Sequence, residues 1–161
     1  MYKRQGLHTN GFSLVRKVFS TEENPGILFK HFDELGHSLG EEMLIRHRSY
    51  YPMLEPILSL CKGLCHVTGG GLPGKIPSMI PDNVTAEFNV GSWIVPAIFK
   101  LIEEVGKVTS DEMHRVFNMG LGMVAVTDQE SVATILDTIP DAQVIGSIVP
   151  MTDENQVRLV Y

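Results

Sequence analysis

Cys65-His66-Val67-Thr68-Gly69-Gly70-Gly71-Leu72-Pro73-Gly74-Lys75-Ile76-Pro77 is the stretch on which the reading of this chain turns. A short apolar run and a threonine lead into three consecutive glycines. Glycine loses more backbone freedom on folding than any other residue, so three together imply a conformation or a close approach that a side chain would forbid. Backbone amides facing an anion are one such case, and a tight turn between packed elements is the other. With a strand reading over 64–68 before it, the stretch marks a strand-to-helix junction.

Upstream, Pro52 suits the first turn of a helix. Met53, Leu54, Ile57, Leu58 and Cys61 give that helix an apolar stripe, and Gly63 ends it. Downstream, Pro81-Asp82-Asn83 is a turn. Val84, Ala86, Phe88 and Val90 then alternate with Thr85, Glu87 and Asn89, the pattern of a half-buried strand. Gly91-Ser92-Trp93 is a loop. Val95, Ile98, Phe99 and Ile102 form a helical face closed by Gly106. Thr109-Ser110-Asp111-Glu112 reads as a capping box for a helix to Phe117. Asn118-Met119-Gly120 is a further loop before a strand over 121–126. Thr127-Asp128-Gln129-Glu130 reads as a second capping box, for a helix burying Val132, Ile135, Leu136 and Ile139. Strands are expected over 143–149 and 157–160. Before the glycine stretch, Asn10 is placed to cap a helix with Phe12, Val15, Val18 and Phe19 on one face. Residues 20–26 break the chain, a weak amphipathic segment runs to Leu35, and 36–51 fits neither period. Mixed helices and strands with glycine loops at their junctions predict an α+β fold, helices layered on a mixed sheet.

At 161 residues the chain fits one domain. Residues 1–5 read as a leader unlike the rest of the chain, and 6–161 as a single domain. Hydrophobic residues make up 43% and charged residues 20%, as in water-soluble globular proteins. No apolar run approaches the roughly 18–20 residues that span a bilayer, and the N-terminus carries no secretory pattern. Two cysteines, Cys61 and Cys65, make no disulfide framework, so a cytoplasmic setting is expected. A net charge of -6 argues against a nucleic-acid surface, which needs clustered base.

Gly69 to Lys75 matches most of a phosphate-binding P-loop. However, Ile76 stands where a magnesium-holding Ser or Thr belongs, and Pro73 and Pro77 remove backbone donors, so that reading fails. Cys61 and Cys65 are spaced C-x3-C with no second pair, which suits core cysteines better than zinc, and no metal site is expected. His8 and His66 each sit beside a glycine loop, where an imidazole can anchor an anion or carry a proton. Arg46-His47-Arg48-Ser49-Tyr50-Tyr51 is the densest basic and aromatic patch, either a solvated connector or the basic side of an anion pocket. The acidic pairs, such as Glu41-Glu42 and Glu103-Glu104, read as solvated faces.

Three segments taken together, Gly6-Leu7-His8-Thr9-Asn10-Gly11-Phe12-Ser13-Leu14-Val15-Arg16-Lys17, His66-Val67-Thr68-Gly69-Gly70-Gly71 and Phe117-Asn118-Met119-Gly120-Leu121-Gly122-Met123, resemble the C-terminal domain of the aminoimidazole ribonucleotide synthetase (phosphoribosylformylglycinamidine cyclo-ligase) family. The resemblance covers roughly residues 6–150. It implies an α/β/α sandwich and the substrate-binding half of a cytoplasmic, homodimeric enzyme that closes an imidazole ring at the expense of ATP, in purine synthesis. ATP and Mg2+ would be bound mostly by an N-terminal domain, so this chain alone is expected to be inactive and prone to associate. A non-catalytic phosphate- or nucleotide-binding module is the alternative, as is another member of the same ATP-dependent superfamily. The resemblance also implies the site. His8 and His66 are the catalytic candidates. Thr9, Asn10, Gly11, Arg48, Thr68, Gly69, Gly70, Gly71, Lys75, Asn118, Met119 and Gly120 are the substrate or phosphate contacts. Two departures stand out. Arg46 and His47 replace a Pro and a Thr, and Lys75-Ile76-Pro77-Ser78 replaces Asn-Ile-Pro-Arg, so a bidentate Arg fork is missing at Ser78.

Overall fold

The computed structural model describes residues 6–8 and 10–161. The elements are α1 (Phe12–Phe19), β1 (His31–Phe32), β2 (His37–Ser38), α2 (Leu39–Met43), α3 (Tyr51–Leu54), β3 (Cys61–His66), α4 (Gly71–Lys75), β4 (Val84–Asn89), α5 (Ala97–Gly106), α6 (Ser110–Val116), β5 (Met123–Thr127), α7 (Val132–Thr138), β6 (Gly146–Pro150) and β7 (Val157–Val160). Short 3-10 turns precede β1, β3, α5 and α7. The α+β class expected from the element pattern is what the chain adopts.

Strands β1 and β2 form a small antiparallel hairpin, and β3 pairs antiparallel with β5, placing Cys65 opposite Val124 and His66 opposite Met123. Strand β4 lies between two neighbours of opposite sense, antiparallel to β6 and parallel to β7, which makes that sheet mixed. Helices α1, α5 and α6, with Phe117 just past the end of α6, bury Val15, Phe19, Ile98, Phe99, Met113 and Phe117 in one core. A second core, with Val67, Leu72, Ile76, Phe88, Trp93 and Val124, lies against the strands. The glycine stretch is held in place from both ends, because Val67 before it and Leu72 within it are both anchored in that second core.

Several local expectations change. Asn10 does not cap α1. The cap position is Gly11, at φ 68°, and the Asn10 side chain is used elsewhere. The apolar stripe after Pro52 is one α-helical turn followed by a 3-10 turn, with Pro56 near the start of the second, and β3 begins at Cys61. Gly63 therefore lies inside β3, where the register with β5 shifts, rather than at a helix end. Thr109 does cap α6, accepting from the Glu112 N–H. The second capping box does not form. Thr127 donates its hydroxyl to the Leu60 carbonyl and Asp128 pairs with Lys62, so both side chains tie to the β3 side instead. Thr85, expected on the open face of β4, is fully buried and donates to the Asn155 carbonyl, because the C-terminal segment crosses that face.

Candidate substrate site

Three segments far apart in sequence meet at the end of β3. The first is the loop before α1, which Val15 and Phe19 dock into the helical core. The second is the irregular stretch 44–50, and the third runs from His66 through the glycines. Asn10 fastens the first to the third. Its amide nitrogen donates to the His8 carbonyl at 2.8 Å and its oxygen accepts from the Gly69 N–H at 3.1 Å. His8 is buried in a left-handed turn at φ 51°. Its ring lies 4.4 Å from that of His47, centroid to centroid, and the His47 ring lies 5.0 Å from that of His66. Tyr50 closes the group, its hydroxyl 3.5 Å from His8 Nε2 and its ring edge-on to His47.

The glycine loop proves to be shaped chiefly by its own chain. The Gly69 amide donates to Asn10, that of Gly71 to the Thr68 carbonyl at 2.9 Å, and that of Gly74 to the Gly70 carbonyl at 2.9 Å. Gly70 and Gly71 both have positive φ, 101° and 58°. At Gly71 a Cβ would lie 1.8 Å from the His114 carbonyl oxygen, so this residue lets the loop pass against the backbone of α6. Helix α4 then runs only from Gly71 to Lys75, and Ser78 donates to the Lys75 carbonyl at its end. That is one turn of helix, much less than a P-loop continues into. Lys75 folds back toward the loop, its Cε 4.0 Å from where a Cβ on Gly70 would be.

Burial, followed by the neighbouring His47 and His66, pushes His8 down to about 4, so it is neutral near pH 7. His66 is also lowered, by burial first and then by His47 and Lys75. The site thus combines a neutral buried imidazole, two exposed imidazoles and a lysine. Hydrogen bonding to polar or anionic groups suits it, with positive charge entering through Lys75.

The other expected residues divide. Thr68 and Gly70 stand in the loop, and Gly11 lies against the Phe117 ring at its base, where a Cβ would clash at 2.1 Å. Thr9 lies outside the described residues. Arg48 pairs with Asp141 at 3.0 Å, both partly exposed, and lines a cavity of about 310 Å3 between the strands and α7. Gly120 borders the same cavity. Most of that cavity is apolar, and none of the His8, His66 or Gly69–Gly71 group borders it. The imidazole cluster is therefore the candidate polar site, and the cavity is its neighbour across Arg48 and Tyr50. Asn118 and Met119 are engaged in holding the loop between α6 and β5. Asn118 is buried, donates to the Gly6 carbonyl at 3.2 Å and accepts from the Gly120 N–H at 2.7 Å. The Met119 carbonyl accepts from the Trp93 indole at 3.0 Å. Sequence reasoning names His47 only as part of the Arg46–Tyr51 basic and aromatic patch, and does not name Asp141 at all. That patch, and the Thr that the family resemblance implies at this position, are the signals for the former, and nothing flags the latter, which lies 93 residues from its partner.

Residues 1–157 match the model of the family described as AIR synthase related protein, C-terminal domain. The phosphoribosylformylglycinamidine cyclo-ligase of Caldicellulosiruptor bescii is 45% identical over 152 residues, covering 89% of this chain and 44% of the relative. That of Desulfotalea psychrophila is 40% identical over 163 residues, covering 96% of this chain and 45% of the relative. That of Enterococcus faecalis is 40% identical over 151 residues, covering 90% and 43%. This chain therefore spans less than half the length of these curated relatives.

Proposed function

The chain belongs to the AIR synthase related protein family through that family's C-terminal domain, and from this premise we propose that residues 6–161 act as one domain, the substrate-binding half of an ATP-dependent cyclo-ligase. The proposed reaction closes the imidazole ring of formylglycinamidine ribonucleotide to give aminoimidazole ribonucleotide. The formyl oxygen accepts the terminal phosphoryl group of ATP. A nitrogen destined for the ring then attacks the activated carbon, and the oxygen leaves as phosphate, with ADP as the other product. The name shared by relatives at 40–45% identity supports this reading.

The observation that carries it is the Asn10 bridge. One side chain joins the His8 carbonyl to the Gly69 amide, so the two sequence motifs form a single wall. Against that wall a ribose phosphate would meet Lys75 and His66 as donors. His8, held neutral, would orient a polar group by hydrogen bonding. Positioning and exclusion of water are the contributions such a wall makes to ring closure. Magnesium does not fit here. The one group among the described residues that could hold a metal consists of three imidazoles, whereas Mg2+ takes oxygen ligands. We accordingly assign no step through Mg2+ to these residues, and place it and most of the ATP contacts on the other half of the longer enzyme. That half, and a second subunit in a cytoplasmic homodimer, would also cover exposed apolar side chains such as Phe29 and Leu44.

The test is complementation. The isolated chain is expected to show no cyclisation, and addition of a matching N-terminal half to restore ATP-dependent ADP release with formylglycinamidine ribonucleotide. A soluble, folded pair that releases no ADP would refute the proposal. Ribose-phosphate binding without any restored turnover would favour a non-catalytic binding module.

A further inference from the structure

We propose that His8, His47 and His66 form a binding site for a single transition-metal ion. Each offers one ring nitrogen, and these atoms all lie within 4.8 Å of one another. A tetrahedral ion with metal–nitrogen bonds of about 2.0–2.1 Å needs ligand nitrogens roughly 3.4 Å apart. Small side-chain rotations bring them there. His8 is the fixed member, buried in its turn, while His47 and His66 are exposed. The three come from separate segments, residues 6–11, 44–50 and the end of β3, so an ion here would join three loops at one point.

The ligand set selects the ion. It holds no carboxylate, and three imidazoles suit Zn2+, Ni2+, Co2+ or Cu2+ rather than Mg2+ or Ca2+. Three protein ligands leave a fourth position for water or an anion. His47 decides whether the site exists, because without it only two imidazoles remain. Lys75 opposes the ion, since it folds back toward the glycine loop that follows His66 and brings a like charge to that side of the site. The site is therefore expected to bind more tightly when that charge is removed, the opposite of what removal does at an anion site.

The experiment is calorimetric titration of the untagged chain with Zn2+ alone, repeated with Co2+ while following visible absorption. Wild type is expected to bind one ion per chain. His47→Thr, a change at an exposed position, should weaken binding at least about tenfold, as loss of a direct ligand must exceed the smallest effects of losing outer partners. Lys75→Gln should tighten it. His37→Ala, at the separate His37–Glu42 pair, should leave it unchanged. Zn2+ should also shift the ring proton resonances of His8, His47 and His66 together. Undiminished binding in His47→Thr, loss in His37→Ala, or no saturable binding by the folded wild type would each overturn the proposal.

Discussion

Replacing Gly71 by Ala tests whether the triple glycine exists for its own backbone or for a ligand. Two penalties are added by one methyl group. An Ala held at φ 58° occupies the left-handed region, which costs a residue with a Cβ roughly 1–2 kcal/mol. That Cβ would also sit 1.8 Å from the His114 carbonyl oxygen and 2.9 Å from that of Phe117. Both are backbone atoms of the α6 segment, which is pinned by the buried Met113 and Phe117. The loop must therefore move as a unit, a strain of the order of overpacking a core, about 1–3 kcal/mol. Together the loss is about 2–5 kcal/mol, a large part of the ~5–15 kcal/mol that holds a domain folded. Gly74→Ala is the matched control. A Cβ there meets nothing within 4 Å, and the residue lies in α4, so Ala should be neutral or stabilise by up to about 1 kcal/mol.

Urea unfolding of the two variants and wild type, with the slope m checked for constancy, measures both differences. Thermal unfolding should agree, at roughly 2–4 °C per kcal/mol for a chain of this size. If Gly71→Ala lies within about 0.5 kcal/mol of wild type, the close approach to α6 is not what requires glycine, and the reasoning fails. A stable Gly71→Ala that nevertheless loses phosphate affinity would assign the residue to ligand contact instead.

Stability should fall on acidification in chelator-containing buffer. Above pH ~6.5 His8 is neutral in both folded and unfolded chains and contributes no pH dependence. Below it the unfolded chain takes a proton that the folded chain, with His8 lowered to about 4, refuses, so stability is lost between those values, by at most about 3 kcal/mol. Urea midpoints at pH 7 and pH 4.5 should show this, and His8→Gln should flatten the difference. Asn118→Ala strips the Gly6 carbonyl and the Gly120 amide of their partner inside the core. A loss of about 2–4 kcal/mol in urea unfolding is expected, and a loss under about 1 kcal/mol would show that the loop finds other partners. Asn10→Ala removes the bridge to Gly69 at a partly exposed position. It should cost only about 1 kcal/mol of stability yet weaken ribose-phosphate binding several-fold by calorimetry, and unchanged binding would detach the two motifs from a common wall.

Which parts of this arrangement are legible in the sequence depends on how local their causes are. Helix α5 and strand β4 declare themselves through periodicity, since each buries a stripe set by nearby residues. The Thr109 cap is likewise local. Asn10, Thr127 and Thr85 depart from expectation for a shared reason. Each polar side chain has a local use that its sequence neighbours suggest and a distant partner that only the folded chain supplies. Asn10 reaches Gly69, Thr127 reaches the Leu60 carbonyl and Thr85 reaches Asn155. The same holds for the imidazole cluster. His8 and His66 draw notice through adjacent glycines. His47 sits in a stretch with no regular period, and its closeness to the other two depends on where that stretch crosses the end of β3.

The glycines themselves show how one sequence signal can carry two causes. Amides converging on an anion and backbone passing backbone both demand residues without a Cβ. The hydrogen bonds of Gly69, Gly71 and Gly74 go to the chain itself, which accounts for the motif's conformation without any ligand. The motif can still serve a site, because what it fixes is position. By packing Gly71 onto α6 and tying Gly69 to Asn10, it holds His8 and His66 beside each other and turns Lys75 back over Gly70. On the proposed reading the binding groups are side chains carried by this loop, and exchanging them should change what is bound while the fold persists. His47 and Ser78, at positions where the family resemblance implies a Thr and an Arg, would both be such exchanges. On the readings proposed above, the first would add a metal ligand and the second withdraw a phosphate fork, so ribose-phosphate and transition-metal affinity should move in opposite directions when His47→Thr and Ser78→Arg are combined. Calorimetry of that double variant with each ligand would refute this if both affinities rose or both fell.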